Sequence, residues 1–285
     1  MVSASDARAN LAAVLEENSL DAIVASSPPN VCYSSGTYFT TMKTVPQRTA
    51  FVVANGAEPT FVYCTIEEGH ATEESWLTEL VGYTEFVDEP VEVLSRVLTE
   101  KGVSSGRVGV ELRNLCARDR ALLDVLLPDA ELVPADDIFD NMRAVKSTQE
   151  IDVLGAAARN TDAAIRTAFE AARVGDSGFS VADTMVSAAK GFGAHNLLHQ
   201  TMAVGTDGFK VHASASDRRL TAGDVLRADF GMSWGGHYLS DVARTAFVGS
   251  ISRAQLDLYT RLESVQQGIF SFMRPGVPAS AVFLH

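Results

Sequence analysis

The chain is short of positive charge. Its 285 residues carry 23 Lys and Arg against 36 Asp and Glu, a formal net charge of -13. That balance argues against nucleic acid and anionic membrane surfaces as natural partners. Cysteine is scarce, with three residues, Cys32, Cys64 and Cys116. An odd, widely spaced set gives no disulfide framework and reads as reduced, mostly buried thiols of a cytoplasmic protein. No apolar run approaches the ~18 residues of a membrane-spanning helix. The opening MVSASDARANLAAVLEEN has no basic start followed by an apolar core, so it does not read as a secretory signal. Neither G-x-G-x-x-G nor a P-loop occurs, which leaves dinucleotide and nucleotide binding unsupported.

Apolar residues are not scarce. At 46% hydrophobic and 21% charged, the composition is that of a globular protein with a substantial core. Its length suggests about two domains. In the first half, helical and strand patterns alternate. Helices are expected at 7–17, 91–101 and 118–127, and strands at 21–26, 51–54, 60–64 and 107–112. Such alternation predicts helices on a mixed sheet, an α/β domain. The acidic pairs at 67–68 and 73–74 read as a solvated helix face. Texture changes near Arg143. A long Ala-rich helix is expected over 148–173, capped by Ser147 or Thr148 with Glu150 in its first turn. Further helices at 180–190 and 253–272 and a strand at 201–204 make the second half α+β. The expected domains are 1–143 and 144–285.

The densest signal is DVLRADFGMSWGGHYLSDVARTAFVG, residues 224–249. Two apolar arms flank a glycine-rich turn, and each arm carries one acid, Asp229 and Asp241. A three-residue turn, Trp234-Gly235-Gly236, would set Asp229 opposite Asp241. Opposed like charges destabilise a sheet. A cation between them is the most productive solution. His195 and His199 form HNLLH, the i,i+4 spacing of zinc proteases on a helix, but Asn196 stands where those enzymes have their glutamate. Gly191 and Gly193 also shorten any helix there. Packing or a pocket wall is the better reading of this pair.

These segments resemble the pita-bread metallohydrolases, the family of Xaa-Pro aminopeptidases and dipeptidases, methionine aminopeptidases and creatinases. LDAIVASSPPNVCYSSGTYF and RVGVELRN resemble the creatinase-type N-terminal domain, and RAVKSTQEI resembles the entry into the catalytic domain. VHASASDRRLTAGDVLRADFG and YLSDVARTAFVG resemble the run from the active-site histidine through both metal aspartates. The resemblance implies a dinuclear site for Mn, Co or Zn, in which Asp229 chelates one ion and Asp241 bridges both. It implies that His212 contacts the substrate or the tetrahedral intermediate. Thr245 shares the strand face of Asp241 and would support the ligands, whereas Arg244 points the other way and suits a structural ion pair. It also implies a homodimer and a peptide or small-molecule substrate.

The family pattern further calls for a histidine and two glutamates after Asp241. Glu263, inside a helical stretch, and His285 are poor candidates for them. Arg173 and Gly175 recur as Arg274 and Gly276 in similar helix–turn–helix settings, which suggests a second structural copy that is cut short. The expected fold is therefore a creatinase-type α/β domain followed by a pita-bread domain whose second half is largely missing. Residues 279–285 would begin a helix with no room to continue. The expected function is that of an Xaa-Pro aminopeptidase or dipeptidase, this chain alone being inactive or nearly so. The alternatives are a creatinase-like or other small-molecule hydrolase or lyase, and a non-catalytic interaction module.

Overall fold

The structure is a computed structural model that describes residues 2–45 and 47–285. The chain divides into two compact units. The first runs to Gly155 and includes Gly236–Tyr238; the second comprises Ala156–Gly235 and Leu239–His285.

In the first unit, α1 (Ala4–Glu17), β1 (Ala22–Ala25), α2 (Pro28–Ser35) and α3 (Thr41–Thr44) precede β2 (Phe51–Ala54) and β3 (Thr60–Cys64). Then come α4 (Glu68–Glu74), β4 (Glu79–Tyr83), α5 (Pro90–Glu100), β5 (Arg107–Val110), α6 (Ala117–Leu126), β6 (Glu131–Pro134) and α7 (Asp136–Ala144). The six strands form one mixed sheet in the order β4-β3-β2-β1-β5-β6. β1–β2 and β2–β3 are antiparallel, and the other pairs are parallel. The two central strands, β1 and β2, are apolar and buried at every position because both faces are covered. Ile23, Val52 and Phe61 meet Leu11 and Leu15 of α1 on one face. Val24, Val53 and Val62 meet Leu94 and Leu98 of α5 on the other. Ser3 caps α1 by accepting the Asp6 N–H at 3.1 Å. The expected α/β layer is present. The reading from sequence does not include the edge strands β4 and β6, whose exposed glutamates and half-buried residues dilute the strand signal. Cys32 and Cys64 are buried and Cys116 is exposed. Burial pushes the Cys32 thiol up to about 12, so it is inert as a nucleophile near neutral pH.

The helix α8 (Thr148–Ala171) starts at a reciprocal cap. Glu150 N–H donates to Ser147 Oγ at 3.2 Å, and Ser147 N–H donates to Glu150 Oε2 at 2.8 Å. The second unit continues with α9 (Gly178–Gly191) and the strands β7 (Leu197–Val204), β8 (Val225–Met232) and β9 (Val242–Phe247). α10 (Arg253–Phe272) and α11 (Ala279–Leu284) follow. The strands form an antiparallel sheet in the order β7-β8-β9. β8 alternates, with Leu226, Ala228 and Phe230 buried between partly exposed neighbours. Its buried face packs on Ala164, Ile165 and Ala168 of α8 and on Val181 and Met185 of α9. α10 has no buried residue, and Leu258, Leu262 and Val265 on it are exposed. No helix among the described residues is long and apolar enough to cross a membrane.

Candidate metal centre

The hairpin register differs from the expected one. Asp229 pairs with Ala243, not Asp241. The loop is longer than three residues, because the bridge Ser233↔Leu239 closes it around Trp234–Tyr238. Gly236 and His237 take left-handed φ values of 71° and 61° to complete the turn. The slip equals two residues, and strand side chains alternate with a period of two, so Asp241 keeps the same face as Asp229. The two acids are diagonal neighbours, which relaxes the direct opposition that the sequence suggested.

The third member of the site is His199. HNLLH is not helical: His195 precedes β7, and His199 lies within it, paired with Gly231. The reading of the pair as packing or a pocket wall did not foresee that His199 sits beside both hairpin acids. Across the sheet, one row reads His199, Gly231, Asp241, and the next reads Thr201, Asp229, Ala243. Outer strands of a three-stranded sheet are about 9.6 Å apart, so a side chain bridges them only by leaning over the middle strand. Gly231 leaves that space. A Cβ there would sit 2.5 Å from His199 Cε1, 2.6 Å from Nδ1 and 2.7 Å from the Ser240 carbonyl. The glycine of Asp-Phe-Gly is thus required by the imidazole above it.

As a result, His199 Nε2 lies 3.2 Å from Asp229 Oδ1 and 3.3 Å from Asp241 Oδ1. One ligand atom from each residue falls within 4.8 Å of the other two. Metal bonds of about 2.1 Å in tetrahedral or octahedral geometry put neighbouring donors about 3.0–3.4 Å apart. The two His199–carboxylate distances fall in that range, and the donor chemistry suits a borderline divalent ion. Without a cation, one imidazole nitrogen must serve two carboxylates. The side chains of His199, Asp229 and Asp241 are 36%, 37% and 74% exposed, which leaves room for water or substrate beside them.

Asp241 is supported from beneath. Ser240 Oγ accepts the Trp234 indole N–H at 2.9 Å and the Met232 N–H at 3.2 Å, and lies 2.7 Å from Thr161 Oγ1 of α8. Arg244 points to the opposite face, as its strand parity implies, and pairs with Asp162 of α8 at 2.6 Å. Thr245 shares the face of Asp241 and lies opposite Arg227. His212 is exposed on the loop after β7, outside the three-residue cluster. The segment Gly102–Gly106 spells G-x-S-x-G. It leads from α5 into β5, the reverse of the strand-to-helix turn of a nucleophile elbow, and supports no such chemistry.

The comparisons with known proteins bear on the family and the fold. Residues 8–145 match the Creatinase/Prolidase N-terminal domain, and residues 152–285 match Metallopeptidase family M24. The chain belongs to the pita-bread metallopeptidases. It is 28% identical over 266 residues to the Xaa-Pro dipeptidase of Pyrococcus furiosus, covering 93% of this chain and 71% of that protein. It is 29% identical over 267 residues to the creatinase of a Bacillus species, covering 90% of this chain and 63% of that protein. The prolidase of Pyrococcus horikoshii superposes with a TM-score of 0.76 at 25% identity, covering 92% of this chain and 71% of that one.

Proposed function

We propose that the chain provides an Xaa-Pro dipeptidase-type centre, in which His199, Asp229 and Asp241 hold a divalent cation for hydrolysis of the bond before proline. The observation that carries this reading is the convergence of their three donor atoms on one open sheet face. A bound ion would acidify a water ligand and polarise the scissile carbonyl. The chain's own residues do the rest. Asp229 and Asp241 supply negative charge that concentrates the cation, and His199 fixes its position between two strands. His212, exposed on its loop, would donate a hydrogen bond to the oxyanion of the tetrahedral intermediate. The similarity to a creatinase keeps C–N hydrolysis of a small molecule as the second reading. The two carboxylates favour the metal-dependent one.

Among the described residues this is the only such group of three or more His, Cys, Asp or Glu. The chain alone is therefore expected to bind one ion weakly rather than two tightly. Calorimetric titration of the purified chain with Mn(II), Co(II) and Zn(II), alongside Xaa-Pro dipeptide hydrolysis, tests this. Asp241→Asn should weaken binding by at least about tenfold, with the fold retained. Unchanged metal binding in that variant would remove the assignment. The homodimer implied by the resemblance is tested by light scattering of the same sample.

A further inference from the structure

The open face of the β7-β8-β9 sheet carries a cation that the metal reading does not use. Arg227 lies on β8 two residues before Asp229, on the same face and about 6.6 Å along the strand. Its partners are neither of the site acids. Arg227 Nη2 donates to the Lys210 carbonyl at 2.6 Å and to the Val211 carbonyl at 3.0 Å. The next residue is His212. On the other side of His212, the Ala213 carbonyl accepts the Met202 N–H at 2.9 Å. The backbone of His212 is thus held on both sides by neighbouring strands, β8 through Arg227 and β7 through Met202. Ala203 and Ala213 are buried, 1% and 2% exposed, so this end of the face is covered by the loop. The imidazole of His212 remains exposed.

We propose that Arg227 is a positioning residue for His212: its guanidinium anchors the two carbonyls that precede the histidine, on the sheet face that carries Asp229 and Asp241. The inference rests on the reading of His212 as the substrate-side group. Its physical basis is separate, because hydrogen bonds from a charged donor are about twice as strong as neutral ones. Both bonds come from one terminal nitrogen, whose two N–H groups serve the two carbonyls. One strand residue therefore links two parts of the centre. A displacement of β8 that moves Asp229 also moves the loop that presents His212.

The test uses the whole chain as Arg227→Met and Arg227→Lys, with folding checked by circular dichroism. Hydrogen exchange of residues 205–213 is followed by mass spectrometry. The His212 Cε1 resonance, assigned with His212→Gln, is followed by NMR, and Mn(II) affinity is measured by titration. Loss of the two charged hydrogen bonds to the Lys210 and Val211 carbonyls predicts about tenfold or more faster exchange of the loop in Arg227→Met. The His212 resonance should shift and sharpen, the exchange of β8 should stay at its wild-type rate, and Mn(II) affinity should stay within about twofold of wild type. Arg227→Lys should restore part of the effect. Wild-type exchange and an unmoved His212 resonance in folded Arg227→Met would overturn the proposal. So would faster exchange spread evenly over residues 225–232, because Arg227 would then only stabilise its own strand. Failure of the wild-type chain to bind Mn(II) would refute the metal reading while leaving the exchange and resonance results to decide this one.

Discussion

Adding one methyl group at Gly231 separates a structural from a metal-binding role for His199. The alanine Cβ would lie 2.5 Å from His199 Cε1 and 2.7 Å from the Ser240 carbonyl oxygen. Carbon–carbon contacts settle at about 3.5–4.0 Å, so the imidazole must retreat by about 1 Å or more. The histidine side chain is 36% exposed and has solvent to swing into. The Ser240 carbonyl is backbone and cannot swing away. The strand must therefore shift as well, and overpacking of this kind costs about 1–3 kcal/mol. At about 2–4 °C per kcal/mol, the melting transition should fall by several degrees. The larger effect is chemical. With the ring displaced, the donor set drops from three to two, and Mn(II) affinity should fall by about ten- to a hundredfold. Calorimetric titration of Gly231→Ala, with His199→Ala as comparator, measures this. A Cβ at Gly235 meets nothing within 4 Å, so Gly235→Ala is the control and should change neither quantity. Wild-type Mn(II) affinity in a folded but destabilised Gly231→Ala would refute the role of His199 as a ligand.

Two further substitutions probe what holds the site. Ser240→Ala leaves the Trp234 indole N–H and the Met232 N–H without their shared acceptor; chemical denaturation should show a loss of about 1–3 kcal/mol, and Mn(II) affinity should fall with it if Ser240 sets the position of Asp241. Arg244→Met removes a partly exposed ion pair on the opposite face; stability should change by less than about 1 kcal/mol, with metal affinity unaffected.

The α/β layer of the first unit was readable because its central strands are apolar at successive positions and bounded by turn residues. The limits of β2, β3 and α10 in the structure coincide with those expected from the sequence. β4 and β6 escaped because edge strands expose half their surface and admit glutamate. Within the site, the two aspartates stood out because a charge inside an apolar strand pattern demands an explanation. Their common face survived a wrong register because the error was an even number of residues. His199 was missed because Asn196 and the glycines at 191 and 193 turned the pair away from a helical zinc motif, while the strand expected at 201–204 stopped short of it; in the structure β7 starts at Leu197 and takes His199 in.

Local patterning in this sequence determined which segments are strands and helices, which residues carry charge into apolar surroundings, and which family the chain resembles. Each depends on neighbours a few residues apart. Tertiary structure alone decided that His199 joins Asp229 and Asp241, that Gly231 is the gap the imidazole crosses, and that Arg227 holds the loop of His212. Those facts depend on how β7 and β9 register against β8. Register follows from the length of the hairpin loop and the packing of one sheet face on α8 and α9, and neither is written in any short stretch of chain.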